Sequence, residues 1–294
     1  MKETTFTFDC QGSPLVGICH HPDRPARRGV LMVLAGGPQY RVGGHRQLTL
    51  WARRLAAEGY PVFRFDYRGT GDSHGEFRGY KWIDEDIRAA IDRFCEETPG
   101  LTEIVLWGEC NAATAIVFYA YRDPRVRGMV LLNPWTRTAE GQARTLMRHY
   151  YLDRLKHPDF WKKVFSFQFD PVASLRSLVR LARLARQAGP ASPGAAQAGI
   201  GTEAPLSRDL PLPEAFLAGF SRFQGGPVML VMSGRDLIAR EFDEAIQANP
   251  ERWEPELRAK RCRRHDTHDG DHTFSSEAQR SQVADWAIAW LASW

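Results

Sequence analysis

Three side chains in this sequence have the types and the order that nucleophilic catalysis uses: Cys110, Asp236 and His272. A thiol is intrinsically more nucleophilic than a hydroxyl, and a nearby histidine or a helix N-terminus lowers its pKa towards the thiolate. A histidine takes the thiol proton or holds the thiolate as an imidazolium partner, and an aspartate orients that ring and stabilises its charged form. The implied chemistry is attack on an ester, thioester or amide carbonyl through an acyl-cysteine. Such an intermediate is a thioester and passes its acyl group to water, an amine, a thiol or an alcohol, so hydrolysis and acyl transfer both stay open. Each residue also has a plainer use: Cys110 as a small core residue, Asp236 as a turn residue or helix cap, His272 on a surface loop. The ordered coincidence of the three carries the catalytic reading.

The stretch EIVLWGECNAATAIVFYAY, residues 103–121, must position the thiol. Ile104–Trp107 reads as a short buried strand, Gly108-Glu109-Cys110-Asn111-Ala112 as a sharp turn, and Ala113–Tyr121 as a helix. This is the layout of a nucleophile elbow, with Ala112 in place of the usual second glycine. Small flanking residues are needed because the strand and helix backbones pass close together. The tetrahedral intermediate also needs N–H donors, usually one from the residue after the nucleophile and one from the loop after the third strand. Asn111 supplies the first. Pro38 has no N–H, so Gly37 is the better candidate for the second. Gln39, Tyr40 and Arg41 in the same loop are candidate substrate contacts.

The rest of the chain supplies a frame for these residues. Thr4–Phe8 and Leu15–His20 read as a hairpin around Gly12-Ser13-Pro14. Gly29–Leu34, Tyr60–Phe65, Val126–Leu132 and Pro227–Ser233 are apolar runs of the kind buried on both faces of a parallel sheet. Helical spacing at 48–58, 82–97, 241–247 and from Ser275 onwards alternates with them, and Lys260–His265 is a candidate last strand. The alternation predicts βαβ units, hence a mostly parallel sheet with helices on both faces. Cys110, Asp236 and His272 then fall at the carboxyl ends of strands or in the loop before the last helix, where open sheets bind ligands. Residues 135–223 break the rhythm and are expected to form a helical lid or cap insertion, separating a core of 1–134 and 224–294. Within it, 187–212 is rich in Ala, Gly, Pro and Gln and is expected to be flexible. Tyr150, Tyr151, Phe160, Trp161 and Phe165 are candidate pocket walls.

Composition narrows the partners. A formal net charge of +4, from 39 basic and 35 acidic residues, is too mild for nucleic acid binding, and no basic run is interleaved with aromatics. Five scattered cysteines without C-x-x-C spacing argue against a disulfide framework and for a reducing compartment, with the cytoplasm as the default. No signal peptide and no membrane span are evident. The expected partner is a small-molecule or carrier-bound acyl substrate, with no cofactor. Oligomeric state is not indicated.

Gly36-Gly37-Pro38-Gln39-Tyr40-Arg41-Val42-Gly43, His45-Arg46-Gln47, Phe65-Asp66-Tyr67-Arg68-Gly69-Thr70-Gly71-Asp72-Ser73 and the G-x-C elbow together resemble the exosortase-A-associated α/β-hydrolases. More broadly they resemble the serine aminopeptidase-like and lysophospholipase-like branch of that superfamily. The resemblance implies the α/β-hydrolase fold with Cys110, Asp236 and His272 as its triad. It departs from the family at Ala112 and at Ala35, where many relatives have His. Two rival readings come from other classes. His265, His268 and His272 are dense enough in ligand types to suggest a metal-dependent hydrolase, although their spacing matches no zinc-hydrolase motif. A non-catalytic ligand-binding homologue would follow if the serine-to-cysteine change marked lost activity.

Overall fold

Alternating residues build the first hairpin, and continuous apolar runs build the centre of the sheet. The computed structural model of the protein describes residues 1–36, 39–138, 142 and 206–294. Strands β1 (Lys2–Cys10) and β2 (Ser13–His21) pair antiparallel, with Phe8 opposite Leu15. They are followed by β3 (Arg28–Val33), β4 (Val62–Phe65), β5 (Glu103–Glu109), β6 (Val126–Leu132), β7 (Val228–Ser233) and β8 (Arg263–Thr267). The eight-stranded sheet runs β1-β2-β4-β3-β5-β6-β7-β8. β2 is antiparallel to both of its neighbours, and every pairing from β4 to β8 is parallel.

Helices α1 (Gln47–Ala57), α2 (Asp84–Glu97), α3 (Asn111–Ala120), α4 (Leu212–Arg222), α5 (Leu237–Ala248), α6 (Pro250–Ala259) and α7 (Glu277–Leu291) connect or flank the strands. Register shows that they cover both faces. Trp107 lies level with Met32 and Arg64 across β5, β3 and β4, whereas Leu31 and Phe63 form the neighbouring row. Side chains alternate faces along a strand. Trp51 of α1 packs on Trp107 at 5.2 Å between ring centroids, and Phe94 of α2 packs on Phe63 at 5.7 Å. The two helices therefore sit on opposite sides of the sheet. α7 joins α1, and α4 joins α3.

Three elements differ from the sequence reading. The helix after β7 starts at Leu237 rather than Glu241, because Asp236 caps it. α6 was not expected: its sequence PERWEPELRA is dominated by charge, carries a second proline at 255, and buries Trp253 alone. β8 is Arg263–Thr267, a polar edge strand two to three residues beyond the expected run.

Most of 135–223, including Tyr150, Tyr151, Phe160, Trp161 and Phe165, lies outside the described residues. Both flanks of that segment are tied to the core. Arg137 makes a paired ion contact with buried Glu241 of α5 at 2.8 Å. Arg208, itself buried, bonds Asp84 and the Lys81 carbonyl. Of 187–212 only 206–212 is described; Leu206 and Leu212 are buried against Phe118 of α3. Among the described residues, no helix is long and apolar enough to cross a membrane.

Candidate active site

Cys110 sits between β5 and α3 with φ 56° and ψ −125°. A non-glycine residue in that region is strained by about 1–3 kcal/mol and persists only where its surroundings over-determine it. Here they do. The Cys110 N–H donates to the Leu132 carbonyl at 2.8 Å, and its carbonyl accepts from Ala113 at 3.1 Å and Trp135 at 3.2 Å. Strand and helix approach so closely that a Cβ at Gly108 would stand 2.7 Å from the backbone of Ala112 and Ala113. Glycine is required at 108. At 112 the methyl group is buried without conflict, which is why alanine serves there. Cys110 as a whole is left 9% exposed.

Asp236 follows β7 and has two tasks. Its Oδ1 accepts from the Ile238 N–H at 3.0 Å, capping α5, and its Oδ2 lies 2.7 Å from His272 Nδ1. The cap reading and the catalytic reading of this aspartate are therefore compatible. The Cys110 side chain lies near enough to the His272 ring to act on its protonation. Since Nδ1 faces Asp236, Nε2 is left for the thiol. Burial works against a charged imidazole, but the hydrogen bonds and negative charge of Asp236 and Cys110 outweigh it and raise His272 to about 10. Asp236 and His272 are thus hydrogen-bonded to each other, with the Cys110 side chain close to the same ring.

Two buried polar residues that the sequence reading passed over hold the His272 loop. Asn133 Nδ2 donates to the His272 carbonyl and to Ser233 Oγ, both at 2.9 Å. Ser233 Oγ donates to the Asp271 carbonyl at 2.8 Å, and the Ser233 N–H donates to Asn133 Oδ1 at 2.8 Å. Each is the first polar side chain at the carboxyl end of an apolar strand, β6 or β7, and that position is the signal that marks them. Glu109 and Tyr80 were also passed over. Glu109 is buried beside Cys110 in the chain and bonded by Gln47 Nε2; burial raises its carboxyl to about 8, against the opposing charge of His272. Burial, helped by nearby Cys110, pushes the Tyr80 hydroxyl up to about 12, so it remains a donor at neutral pH.

The remaining candidates fall in different places. Asn111 opens α3, where backbone N–H groups point out of the helix end. Gly37 lies outside the described residues. Gln39 is half-buried and Tyr40 is 51% exposed. The Arg41 guanidinium is engaged by Asp66 and, at 2.8 Å, by Asp72, while its N–H donates to Asp66 Oδ1 at 2.5 Å. Arg41 thus fastens its loop to the glycine-rich turn after β4. The three histidines of the metal reading do not converge. His265 stacks on Trp286 at 4.5 Å, His268 is exposed, and His272 holds Asp236. Among the described residues no group of three His, Cys, Asp or Glu is placed to hold a metal ion.

Residues 32–162 match the family model described as serine aminopeptidase, S33. A curated relative, the quorum-quenching protein AidA of Acinetobacter baumannii (strain MDR-ZJ06), is 33% identical over 113 residues, 36% of each chain. The chain thus spans about a third of the length of that relative. Among solved structures, the Pyrococcus furiosus esterase Pf2001 superposes with a TM-score of 0.62 at 15% identity, covering 100% of this chain and 93% of its own. Est1E of Butyrivibrio proteoclasticus, solved with ferulic acid bound, gives 0.59 at 15% identity over 98% of both chains. The α/β-hydrolase GrgF of Penicillium sp. sh18 gives 0.57 at 16% identity over 98% of both. With its sheet order, its strained turn after β5 and these likenesses, the chain has the α/β-hydrolase fold.

Proposed function

We propose that the protein is an acyl hydrolase or acyltransferase that works through an acyl-cysteine on Cys110. The observation that carries this reading is the series Asp236–His272–Cys110, with a 2.7 Å contact between Asp236 Oδ2 and His272 Nδ1 and the thiol on the strained turn. The S33 match and the esterase likenesses support a hydrolytic site of this superfamily, and the S33 family is serine-type. The cysteine is this chain's own departure from that pattern. Within the superfamily, the blocks at 36–47 and 65–73 support a place near the exosortase-A-associated hydrolases.

In the proposed cycle the Cys110 sulfur attacks an ester, thioester or amide carbonyl, and its proton resides on His272. The tetrahedral oxyanion is met by the Asn111 N–H at the start of α3, with Gly37 as the expected second donor. Collapse breaks the bond to the leaving group, which takes the proton from His272. Water or another acceptor then attacks the thioester, gives its proton to His272 and frees the thiol. Asp236 keeps the ring oriented and stabilises its charge throughout. The segment 135–223 is proposed to shape the acyl or leaving-group pocket.

Intact-protein mass spectrometry tests this. Wild type and Cys110→Ala are incubated with aryl esters, lactones and acyl-thioesters. An acyl adduct on wild type that is missing from the variant is expected, and added amines or alcohols would show which acceptor clears it. Absence of adduct and turnover across the panel would reject covalent catalysis and favour the ligand-binding homologue.

A further inference from the structure

Gly36 ends the described part of the chain leaving β3, and a side chain from the nucleophile helix grips it. The Gly36 N–H donates to Asn111 Oδ1 at 2.6 Å, and the Gly36 carbonyl accepts from Asn111 Nδ2 at 3.4 Å. One primary amide thus satisfies both main-chain groups of one residue. Its orientation is fixed by chemistry, because a backbone N–H only donates and the atom facing it must be oxygen. The fit leaves no slack. A Cβ at Gly36 would stand 2.8 Å from Asn111 Nδ2 and 3.4 Å from Tyr67 Oη. Tyr67 is fully buried and its hydroxyl has no hydrogen-bond partner among the described residues; it forms a wall on the other side of Gly36.

We propose that the Asn111 side chain is a positioning residue for acyl transfer, pinning the Gly36 backbone, and with it the chain leaving β3, to the first turn of the nucleophile helix. The inference rests on the acyl-transfer reading above. In this fold one oxyanion donor comes from the residue after the nucleophile and another from the chain after the third strand. A pin between those two elements sets the spacing of the donors. Preorganised donors lose much of their effect when misplaced by a fraction of an ångström. Asn111 would then contribute twice, its main chain donating to the oxyanion and its side chain holding the opposite element in place.

Two reactions of the same thiol separate this role from a general structural one. Iodoacetamide alkylates Cys110 by displacement: a sulfur–carbon bond forms as iodide leaves, with no oxyanion. p-Nitrophenyl acetate acylates it through a tetrahedral oxyanion as p-nitrophenolate leaves. Asn111→Ala is expected to keep the alkylation rate within about 2-fold while acylation and kcat fall about 10- to 100-fold, with KM little changed. Asn111→Asp keeps the acceptor for the Gly36 N–H but sets a second oxygen against the Gly36 carbonyl. It is expected to lose at least as much acylation. Thermal unfolding of both variants checks that they fold. Acylation at the wild-type rate in Asn111→Ala would overturn the inference, as would an equal fall in both reactions, which would mean that the turn itself had deformed. Wild type that alkylates at Cys110 yet never acylates would overturn the acyl-transfer reading and this inference with it. That outcome appears without any substitution at Asn111, so the two failures are distinct.

Discussion

Among the described residues, cysteine, histidine and carboxylate gather at the turn after β5 and again on β2, with opposite results. At the turn after β5, Asp236 and Cys110 raise His272 to about 10. On β2, Cys19 Sγ meets His21 Nδ1 at 3.9 Å, and Glu3 approaches Nδ1 of the intervening His20 at 3.4 Å. There burial, followed by the Arg64 charge, pushes His20 down to about 4, and burial pushes the Cys19 thiol up to about 12. Arg64 Nε donates to His20 Nε2 at 2.9 Å, which requires that nitrogen to be the unprotonated acceptor. The residue types are the same; the difference lies in which charge faces the ring and in where the chain leaves the group. Cys110 stands at the carboxyl end of a central strand with a small opening to solvent. Cys19 is sealed within an edge hairpin and touches Thr98 at 3.8 Å. A carboxylate facing the ring favours the proton on His272; a guanidinium facing the ring keeps His20 a hydrogen-bond acceptor.

The sharpest way to break the comparison is to exchange the two thiols' fates. Cys110→Ala is expected to lower acyl turnover by at least about 10⁴-fold, whereas Cys19→Ala leaves it unchanged and lowers stability by about 1–2 kcal/mol, read by denaturant unfolding. Iodoacetamide mapping near neutral pH should find Cys110 modified first and Cys19 untouched in the folded protein. Labelling of Cys19 at a similar rate would erase the distinction. Next in size is Asp236→Asn. It keeps an oxygen to cap α5 but removes the charge facing His272. Steady-state kinetics should show a loss of about 10² to 10⁴ in kcat with little change in melting temperature. A large drop in stability instead would mean that the capping role dominates.

Stability against pH gives smaller effects of opposite sign from the two regions. His20 has its pKa depressed on folding, from an ordinary 6.5 to about 4. Its contribution is therefore present above pH 6.5 and lost as pH falls through 4. His272 is raised, so its contribution is full below 6.5 and lost as pH rises through about 10. Glu109 is raised from 4.5 to about 8, so it also favours the folded state less as pH climbs from 4.5 through 8. Urea midpoints from pH 4 to pH 9 should show the acid-side loss shrink in His20→Asn. The alkaline-side loss should shrink in Glu109→Gln, each by an amount on the order of a few kcal/mol at most. Unchanged slopes would show that these groups do not face the charges described.

The parts visible in the sequence are those set by local pattern. β3, β5, β6 and β7 are apolar runs with few alternatives, and Gly108 announces a close backbone passage. Cys110, Asp236 and His272 could be singled out as candidates because strand ends are where a parallel sheet displays its side chains. What stayed hidden depends on contacts between distant segments. The amide of Asn111 meets a residue 75 positions away, and Asn133 meets Ser233 100 positions away. Arg41 read as a substrate contact because its charge is plain in the sequence, while Asp66, which engages it, is 25 residues on. β8 and α6 were hard to place because edge elements carry polar residues that mask their period.

The strain at residue 110 is held by the main chain. Leu132, Ala113 and Trp135 bind its peptide groups, and Gly108 gives it room, so the backbone contacts that hold the turn do not depend on what the side chain carries beyond Cβ. The turn is thus a socket indifferent to its reagent. Sulfur and oxygen differ there by one atom and one codon position, with no refolding between them. If Cys110 acts as proposed, a lineage holding this scaffold can cross between thioester and ester intermediates in a single mutational step, with the facing histidine's proton affinity as the property that must follow.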